Sequence, residues 1–274
     1  MVTLRRTVRF CVNPPGEVRA AAGEESGAPG FSGRPSMRGL GRFYEVEVQC
    51  RGDTDASTGY LLNIADVDRA VRTIVIPIVE RECRERPATD PGVLMSEMTG
   101  ALDRALRGRL RALRWRLTPY YSVEMATADT TRVVLREQFD FAASHRLHVA
   151  GLSDEENRRL FGKCNNPLGH GHNYRVEPAV AVKVGPGRKP ALSLQDLERL
   201  VGATIVDRFD HRNLNEDTPE FSTSGGGLNP SVENIAKVCY ELLAPAVRKE
   251  SGGEAELLSV TVWETDRTSS TYPG

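Results

Sequence analysis

The two halves of this 274-residue chain carry the same order of sequence patterns, and this internal repeat limits the architecture more than any other feature. The segment GLGRFYEVEV (39–48) matches GHGHNYRVEP (169–178) at two glycines, a tyrosine, a valine and a glutamate. At the same offset NIADVDRAV (63–71) matches SLQDLERLV (193–201). Each half predicts strand, strand, helix, helix, strand, strand. We therefore expect an α+β fold with one domain at 1–131 and a second at 132–274.

The pattern within each half predicts a four-stranded antiparallel sheet with two helices on one face. Val176, Val180 and Val182 alternate as in a half-buried strand, whereas Ile235 and Val238 have helical spacing. Such a sheet has exposed edge strands, and joining several copies edge to edge removes them. A homo-oligomer is therefore expected.

The composition excludes several classes of protein. The net charge of −1 gives no basic footprint for nucleic acid and no polybasic patch for a membrane surface. The longest apolar runs, such as 73–79, are too short to span a bilayer, and the N-terminus lacks the apolar core of a signal peptide. Five scattered cysteines predict free thiols and a cytoplasmic protein. Residues 14–41, rich in glycine and proline, predict a long loop.

Four of the five histidines lie between Phe139 and Tyr174. His170 and His172 are separated by one glycine, so in a strand both rings project from the same face. His145 ends a second alternating segment and can supply a third ring if the two strands pair. Three neutral imidazoles with an open fourth position are the ligand set of a catalytic zinc ion. If His170 and His172 are considered alone, the simpler alternative is that they lie on a surface strand and bind no metal.

The first half lacks this chemistry at the aligned positions. Non-ligating residues replace the three histidines, Arg34 stands roughly where Cys164 is, and Glu80 and Arg81 replace Asp210 and His211. The replacements for His145, His170 and His172 are Pro14, Leu40 and Arg42, respectively. The first domain is therefore expected to bind no metal.

Two carboxylates are retained in this alignment, with Glu97 over Glu233 and Glu124 over Glu264. Two interpretations remain open. The two glutamates are retained by chance on solvated faces, or they mark a vestigial or regulatory ligand pocket.

Five ordered motifs resemble one enzyme family. They are FDFAASHRL, CNNPLGHGHNY, FDHRNLN (209–215), PSVEN (230–234) and VWETD (262–266). Together they resemble 6-pyruvoyl-tetrahydropterin synthase and its relative 6-carboxytetrahydropterin synthase, over residues 133–274. The resemblance implies tandem tunnelling-fold (T-fold) modules that assemble into a β-barrel oligomer.

The resemblance also implies roles for individual residues. Cys164 is the proton acceptor, with its thiol pKa lowered beside a dication. His211, oriented by Asp210, acts with Cys164 of a neighbouring subunit. The pterin anchors lie in the last two motifs and are Glu233, Glu264 and Thr265. The residues alone leave alternatives open. Asp210 can be a solvated charge in a turn, Glu233 can be only a charge at a helix start, and His148 can lie near the site without binding metal or substrate.

The implied function is a zinc-dependent lyase that converts 7,8-dihydroneopterin triphosphate to a tetrahydropterin with loss of triphosphate. Candidates to contact the triphosphate are Arg146, Lys163 and Arg212. The five residues between Cys164 and His170 resemble the pyruvoyl enzymes, although Leu168 stands where those usually have asparagine. The alternatives are a 6-carboxytetrahydropterin synthase of queuosine biosynthesis and a non-catalytic zinc- or pterin-binding protein.

Overall fold

The computed structural model describes residues 1–14, 37–185, 190–222 and 225–274. Most of the loop predicted for 14–41, including Arg34, lies outside these residues. The chain divides into two compact units. The first unit comprises Met1–Leu135 and Lys183–Pro190, and the second comprises Arg136–Val182 and Ala191–Gly274. The second unit thus starts a few residues after the expected position 132, and a short later segment belongs to the first unit.

Ten strands and eight helices make up the described chain. The strands are β1 (Val2–Val12), β2 (Arg42–Gly52), β3 (Leu110–Arg116), β4 (Tyr121–Ala126), β5 (Arg132–Glu137), β6 (Phe139–His145), β7 (His170–Lys183), β8 (Arg212–Asn213), β9 (Ala255–Thr265) and β10 (Thr268–Tyr272). The helices are α1 (Ile64–Ala70), α2 (Ile76–Glu85), α3 (Pro91–Ala105), α4 (Asp154–Phe161), α5 (Leu194–Val201), α6 (Asp207–Phe209), α7 (Leu214–Asp217) and α8 (Val232–Glu250). No described helix is both long and apolar enough to cross a membrane.

In the first unit, β1, β2, β3 and β4 pair in sequence order as an antiparallel sheet. Alternate residues such as Phe10 and Val46 are fully buried, and helices α1, α2 and α3 pack against this sheet. The period-two alternation of these strands therefore produces one apolar face beneath the helices. The mixture of strands and separate helices is an α+β arrangement.

The sheet of the second unit contains one strand more than the prediction of four. Strands β6, β7, β9 and β10 are antiparallel neighbours, and helix α8 packs on β9 and β10. The additional short strand β8 runs parallel to β6, with Arg212 opposite Ala143. The fully antiparallel prediction missed β8 because two residues carry no periodicity signal.

The first hairpins of the two units have the same register. In the first unit Phe10 lies opposite Tyr44, and in the second Phe141 lies opposite Tyr174. Further matching features follow in each unit. They are a side-chain N-cap at Asn63 and Ser193, and a π-helical turn at Val71–Val75 and Gly202–Val206. Counting along these registers from the matched pairs places Pro14, Leu40 and Arg42 at the positions of the three histidines.

The register of the next strand overturns the alignment of Glu124 with Glu264. Val46 pairs with Trp115 on β3, and the matching Val176 pairs with Val262 on β9. Strand β3 is therefore the counterpart of β9.

It follows that Leu117 is the counterpart of Glu264, two residues beyond these pairs. Glu124 lies on the following strand, β4, and its carboxylate is 3.1 Å from Arg114 Nε. The alignment was wrong by one strand, because both strands have similar alternation and the sequence does not show which of them pairs with β2.

The alignment of Glu97 with Glu233 is wrong as well. Glu97 lies in the interior of α3, whereas Glu233 lies in the first turn of α8. The Glu97 carboxylate is exposed and lies 3.4 Å from Arg81 Nη2. Glu97 and Glu124 thus each pair with an arginine, and neither matches the position of Glu233 or Glu264. They give no support to a vestigial ligand pocket.

Candidate metal and active site

Two adjacent antiparallel strands bring three imidazoles onto one face of the second unit's sheet. His145, the last residue of β6, lies directly opposite His170, the first residue of β7. His172 follows two residues later, so its side chain projects from the same face. The centroids of the three rings are separated by 4.5, 4.8 and 5.2 Å. The predicted convergence of the three histidines is thus present in the structure.

The geometry of this cluster suits a metal ion. The Nε2 atoms of His145 and His170 are 3.1 Å apart, and one ligand atom from each of the three rings lies within 4.8 Å of the others. Tetrahedral coordination with bonds of about 2.0–2.1 Å separates two imidazole nitrogens by roughly 3.3 Å. His172 Nε2 is buried and has no hydrogen-bond partner among the described residues. The cluster can therefore hold a divalent ion.

A backbone carbonyl and a tyrosine hydroxyl orient the buried ring of His145. Its Nδ1 lies 2.7 Å from the Pro230 carbonyl oxygen and 3.3 Å from the Tyr174 hydroxyl. With Nδ1–H donating to the carbonyl, the lone pair on Nε2 faces the other imidazoles. Burial, together with the neighbouring rings of His170 and His172, lowers the pKa of His145 to about 4 against the opposing effect of the hydrogen bond to Pro230. The ring is therefore neutral near pH 7, as a metal ligand must be.

Glu264 lies beside two of these rings. Its Oε1 atom is 3.4 Å from His145 Nε2 and 3.5 Å from His172 Nε2. Burial lowers the pKa of His172, and the charge of the Glu264 carboxylate opposes that effect. This position is compatible with two roles: a further metal ligand, or a carboxylate that receives substrate next to the metal.

The other two predicted substrate residues are exposed. Thr265 ends β9, and its hydroxyl accepts a hydrogen bond of 3.3 Å from the backbone N–H of Arg267. Glu233 lies in the first turn of α8, just after the Pro230 carbonyl that binds His145. The start of α8 is thus connected to the imidazole cluster through its backbone.

Cys164 lies in a 3-10 turn, Gly162–Asn165, and is half-buried. Its carbonyl oxygen accepts a hydrogen bond of 2.8 Å from the Leu147 N–H. Burial raises the pKa of the thiol, and the charge of Glu264 raises it further. A dication bound to the imidazoles would act in the opposite direction and favour the thiolate.

Four asparagines that the sequence analysis missed fix the segment 146–149, which leaves β6 directly after His145. Asn215 accepts a hydrogen bond of 2.7 Å from the Arg146 N–H and donates one of 3.1 Å to the Arg146 carbonyl. Asn157, which is fully buried, bonds the Val149 N–H and carbonyl at 2.8 and 3.0 Å. Side-chain amides here make the hydrogen bonds to the backbone that a neighbouring strand would make in a sheet.

Asn165 connects this segment to the cysteine turn. Its Nδ2 atom donates to the Leu147 carbonyl at 2.7 Å and to His148 Nδ1 at 3.1 Å. Asn229 accepts a hydrogen bond of 3.2 Å from the His148 N–H. His148 therefore belongs to the support of the Cys164 turn and is not part of the imidazole cluster. Asn165 and Asn215 lie inside two of the five motifs and Asn229 directly precedes a third, which is the signal that could have identified them, whereas Asn157 lies outside the motifs.

Asp210 and His211 form a hydrogen-bonded pair attached to β6. One Asp210 carboxylate oxygen accepts from the Ala142 N–H at 2.8 Å, and the other lies 2.7 Å from His211 Nδ1. The Ala142 bond and then the His211 bond lower the pKa of the Asp210 carboxyl. His211 has φ +56°, held by a 2.6 Å hydrogen bond from its N–H to the Ala142 carbonyl. Its side chain is 83% exposed, so the distal ring nitrogen is available to a reactant.

The candidates for triphosphate binding differ in their surroundings. Lys163 and Arg212 are exposed, whereas Arg146 Nε donates to the Asn165 carbonyl at 3.3 Å. Leu168, which replaces the expected asparagine, is 91% exposed at the turn before β7. Its side chain therefore contributes little to the packing of this turn.

The fold and the site define an α+β protein with a three-histidine cluster able to hold a metal ion. The family described as 6-pyruvoyl tetrahydropterin synthase matches residues 134–274, which include the cluster and all the motifs of the second half. The chain belongs to the 6-pyruvoyl tetrahydropterin synthase family.

Individual relatives match the same part of the chain. The human 6-pyruvoyl tetrahydrobiopterin synthase is 38% identical over 137 residues, which cover 50% of this chain and 88% of the human protein. The enzyme of the same name from Poecilia reticulata is 38% identical over 134 residues, 49% of this chain and 85% of that protein. The solved structure of Caenorhabditis elegans 6-pyruvoyl tetrahydropterin synthase has 34% identity and a TM-score of 0.46, and covers 52% of this chain and 96% of that one.

Proposed function

We propose that residues 132–274 form a zinc-dependent 6-pyruvoyl tetrahydropterin synthase. This carbon–oxygen lyase takes 7,8-dihydroneopterin triphosphate and releases triphosphate. The observation that carries the proposal is the convergence of three imidazoles beside the Glu264 carboxylate, within the segment that the family match covers. The five free thiols support a reducing, cytoplasmic setting.

The donor set favours zinc. His145, His170 and His172 offer three imidazole nitrogens and leave further coordination positions for water or substrate, as in catalytic zinc sites. A zinc ion held there would act as a Lewis acid on the side-chain hydroxyls of the substrate and acidify the adjacent C–H and O–H bonds.

Cys164 and the Asp210–His211 pair carry the proton transfers. The Cys164 thiolate removes a carbon-bound proton from the substrate side chain at its Sγ atom. Asp210 holds Nδ1 of His211 in its protonated form, so Nε2 takes up and returns protons at the exposed end of the ring. Triphosphate leaves by elimination.

Glu264 anchors the pterin. A carboxylate accepts two hydrogen bonds from the 2-amino group and the ring N–H of a pterin, which together form a planar pair of donors. Glu233 and Thr265, exposed on neighbouring segments, complete the substrate contacts.

Glu264 has two candidate roles, substrate anchor and metal ligand, and one substitution distinguishes between them. If Glu264 anchors substrate, Glu264→Gln raises KM and leaves zinc affinity, measured by competition with a chelator, within about threefold of wild type. A loss of zinc affinity comparable to that of His172→Ala would instead make Glu264 a metal ligand. The Glu264 distances to the imidazoles make this second outcome a real alternative.

The two units are proposed to be tandem T-fold modules, with the first, residues 1–131, free of metal. Equal hairpin registers and matching π-helical turns support the repeat. Edge-to-edge assembly of such modules into a β-barrel would give a homo-oligomer.

The active site is proposed to be shared between subunits. The described structure records no hydrogen bond between His211 and Cys164, and the exposed His211 ring is free to approach another subunit. Mixing inactive Cys164→Ala and His211→Ala chains should then restore part of the activity, since some interfaces contain both intact residues. Mixed oligomers as inactive as either parent would contradict a shared site.

The reaction itself is tested with purified, zinc-loaded full chain and 7,8-dihydroneopterin triphosphate. We expect stoichiometric release of triphosphate, and mass spectrometry should identify a 6-pyruvoyl tetrahydropterin. Cys164→Ala should abolish release, while Cys83→Ala, a half-buried thiol of the first unit, should not. Zinc binding without triphosphate release would indicate a non-catalytic pterin-binding protein, and a 6-carboxy product would change the assigned reaction.

A further inference from the structure

The sheet of the first unit has a polar face on the side away from its helices. Along β1, Val8 and Phe10 are buried against the helices, whereas the alternate residues Arg5 and Arg9 are exposed. Because side chains alternate along a strand, both arginines point to the face that the helices do not cover. No part of the catalytic proposal uses this face.

At one end of this face, each arginine lies beside a carboxylate. Arg9 Nε is 2.7 Å from Glu45 Oε1, and Arg116 Nη1 is 3.6 Å from the other oxygen of the same carboxylate. Arg114 Nε lies 3.1 Å from Glu124 Oε2. The charges at this end of the face are therefore balanced.

At the other end, three arginines surround a depression without a carboxylate. Arg5 lies opposite Gln49 in the β1–β2 ladder, and Arg51 lies opposite Thr3. Arg111 on β3 completes the rim. The depression has a volume of about 670 Å³ and is lined by Met1, Thr3, Arg5, Gln49, Arg51 and Arg111.

None of these three arginines makes an ion pair within the described part of the chain. Arg51 has one side-chain contact, 2.9 Å from its Nε to the sulfur of Met1, which is a weak acceptor. Like charges on neighbouring strands repel one another. A bound anion would relieve this repulsion, because guanidinium groups bind phosphate oxygens in pairs.

We propose that Arg5, Arg51 and Arg111 form a polyphosphate-binding site on the first unit. Three guanidinium groups distributed over three strands suit an anion with several phosphate groups better than a single phosphate or carboxylate. The ligand class is a linear polyphosphate, either free or as the triphosphate group of a nucleotide. Gln49 and Thr3 provide neutral hydrogen-bonding groups between the charges.

The test is a calorimetric titration of the full chain with inorganic triphosphate at low ionic strength. The protein carries His170→Ala and His172→Ala, so that the second unit neither takes up triphosphate through a metal nor loses metal to it. We expect one triphosphate per chain at this site, in addition to any bound by Arg146, Lys163 and Arg212 of the second unit. Adding Arg5→Ala, Arg51→Ala and Arg111→Ala together should weaken binding at least about tenfold, since charge-assisted hydrogen bonds are lost. All three side chains are exposed, so the variant should fold.

The matched control is Arg9→Ala with Arg116→Ala, which removes two paired arginines from the same face. It should change the affinity for triphosphate less than about twofold. Equal weakening by the control, or unchanged affinity in the triple variant, would overturn the site. Single phosphate binding as tightly as triphosphate would overturn the ligand class. A nucleoside triphosphate that binds as well as inorganic triphosphate supports recognition of the phosphates alone, and tighter binding indicates a nucleotide. Lyase activity of the second unit is measured separately and does not enter this test.

Discussion

Replacing Glu137 with glutamine should stabilise the protein at alkaline pH but not at acidic pH. Glu137 ends β5 and is half-buried, and its Oε2 atom is buried without a hydrogen-bond partner among the described residues. Burial, and then the charge of Glu198, raise the pKa of this carboxyl to about 7. The ionised carboxylate is therefore a source of instability that an amide of similar size would remove.

The sign and size follow from proton linkage. The folded-state pKa of about 7 lies above the unfolded value of 4.5, so the folded chain holds its proton more tightly. Below about pH 4.5 both states are protonated and Glu137 costs nothing. Stability then falls as the pH rises toward about 7, and stays reduced above it. The gap between the two values is worth roughly 3 kcal/mol at 1.36 kcal/mol for each pH unit. Solvent screening of a half-exposed group reduces this to about 1 kcal/mol.

Urea unfolding of wild type and Glu137→Gln at about pH 5 and pH 8 measures the effect. The variant should be more stable by about 1 kcal/mol at the higher pH and by only a few tenths at the lower one. Glu198→Gln, which removes only the neighbouring charge, should give a smaller gain with the same pH dependence. A Glu137→Gln effect that is equal at both pH values, or destabilising at pH 8, would refute the argument.

Three further predictions concern the site. Under the proposed mechanism, in which Cys164 is the proton acceptor, Cys164→Ser should lower turnover by about 10²–10⁴-fold with unchanged zinc content. Turnover and metal analysis on the same sample check this, and loss of zinc would contradict it. His172→Ala should lower zinc affinity by more than about 100-fold, since losing a mere supporting partner costs 10–100-fold; chelator competition is the measurement, and near-normal affinity would remove His172 from the ligand set. Asn165→Ala should lower kcat about tenfold with zinc retained, whereas Asn157→Ala should lower the free energy of unfolding by about 1–3 kcal/mol with normal kcat per folded chain. Kinetics and urea unfolding of both variants distinguish these effects. Equal kcat values for the two variants would contradict a role for Asn165 in holding Cys164.

The parts of the fold that depend on local alternation could be predicted from the sequence. The apolar positions of β6 and β7 fix which face is buried, and a slip of one residue would move every side chain to the other face. The register that brings His145 opposite His170 follows from that constraint. For this reason the convergence of the imidazoles could be expected before the structure was known.

Contacts made by single side chains with distant backbone could not be predicted in this way. Asn215 lies far along the sequence from Arg146, yet its amide bonds that residue's N–H and carbonyl. Such contacts have no periodicity and depend on how the loops meet. The misplacement of Glu124 has a related cause, since alternation identifies a strand but not its neighbour in the sheet.

The Asp210–His211 pair depends on where a helix stops. In the first unit the aligned residues Glu80 and Arg81 lie inside α2, which runs from Ile76 to Glu85. In the second unit α6 ends at Phe209, and Asp210 has extended backbone angles. Glutamate and arginine favour helix, aspartate and asparagine favour its ends, and histidine has a lower helix propensity.

That difference in helix propensity separates the two units at this position. Leaving the helix at Phe209 frees the Asp210 carboxylate to accept from the Ala142 N–H, and it lets His211 adopt the left-handed conformation that exposes its ring. A helix that continued through these two residues would satisfy their backbone groups internally and would remove β8 from the edge of β6. Three histidines placed at Pro14, Leu40 and Arg42 would therefore not give the first unit an exposed aspartate–histidine pair, because that pair requires the helix to end.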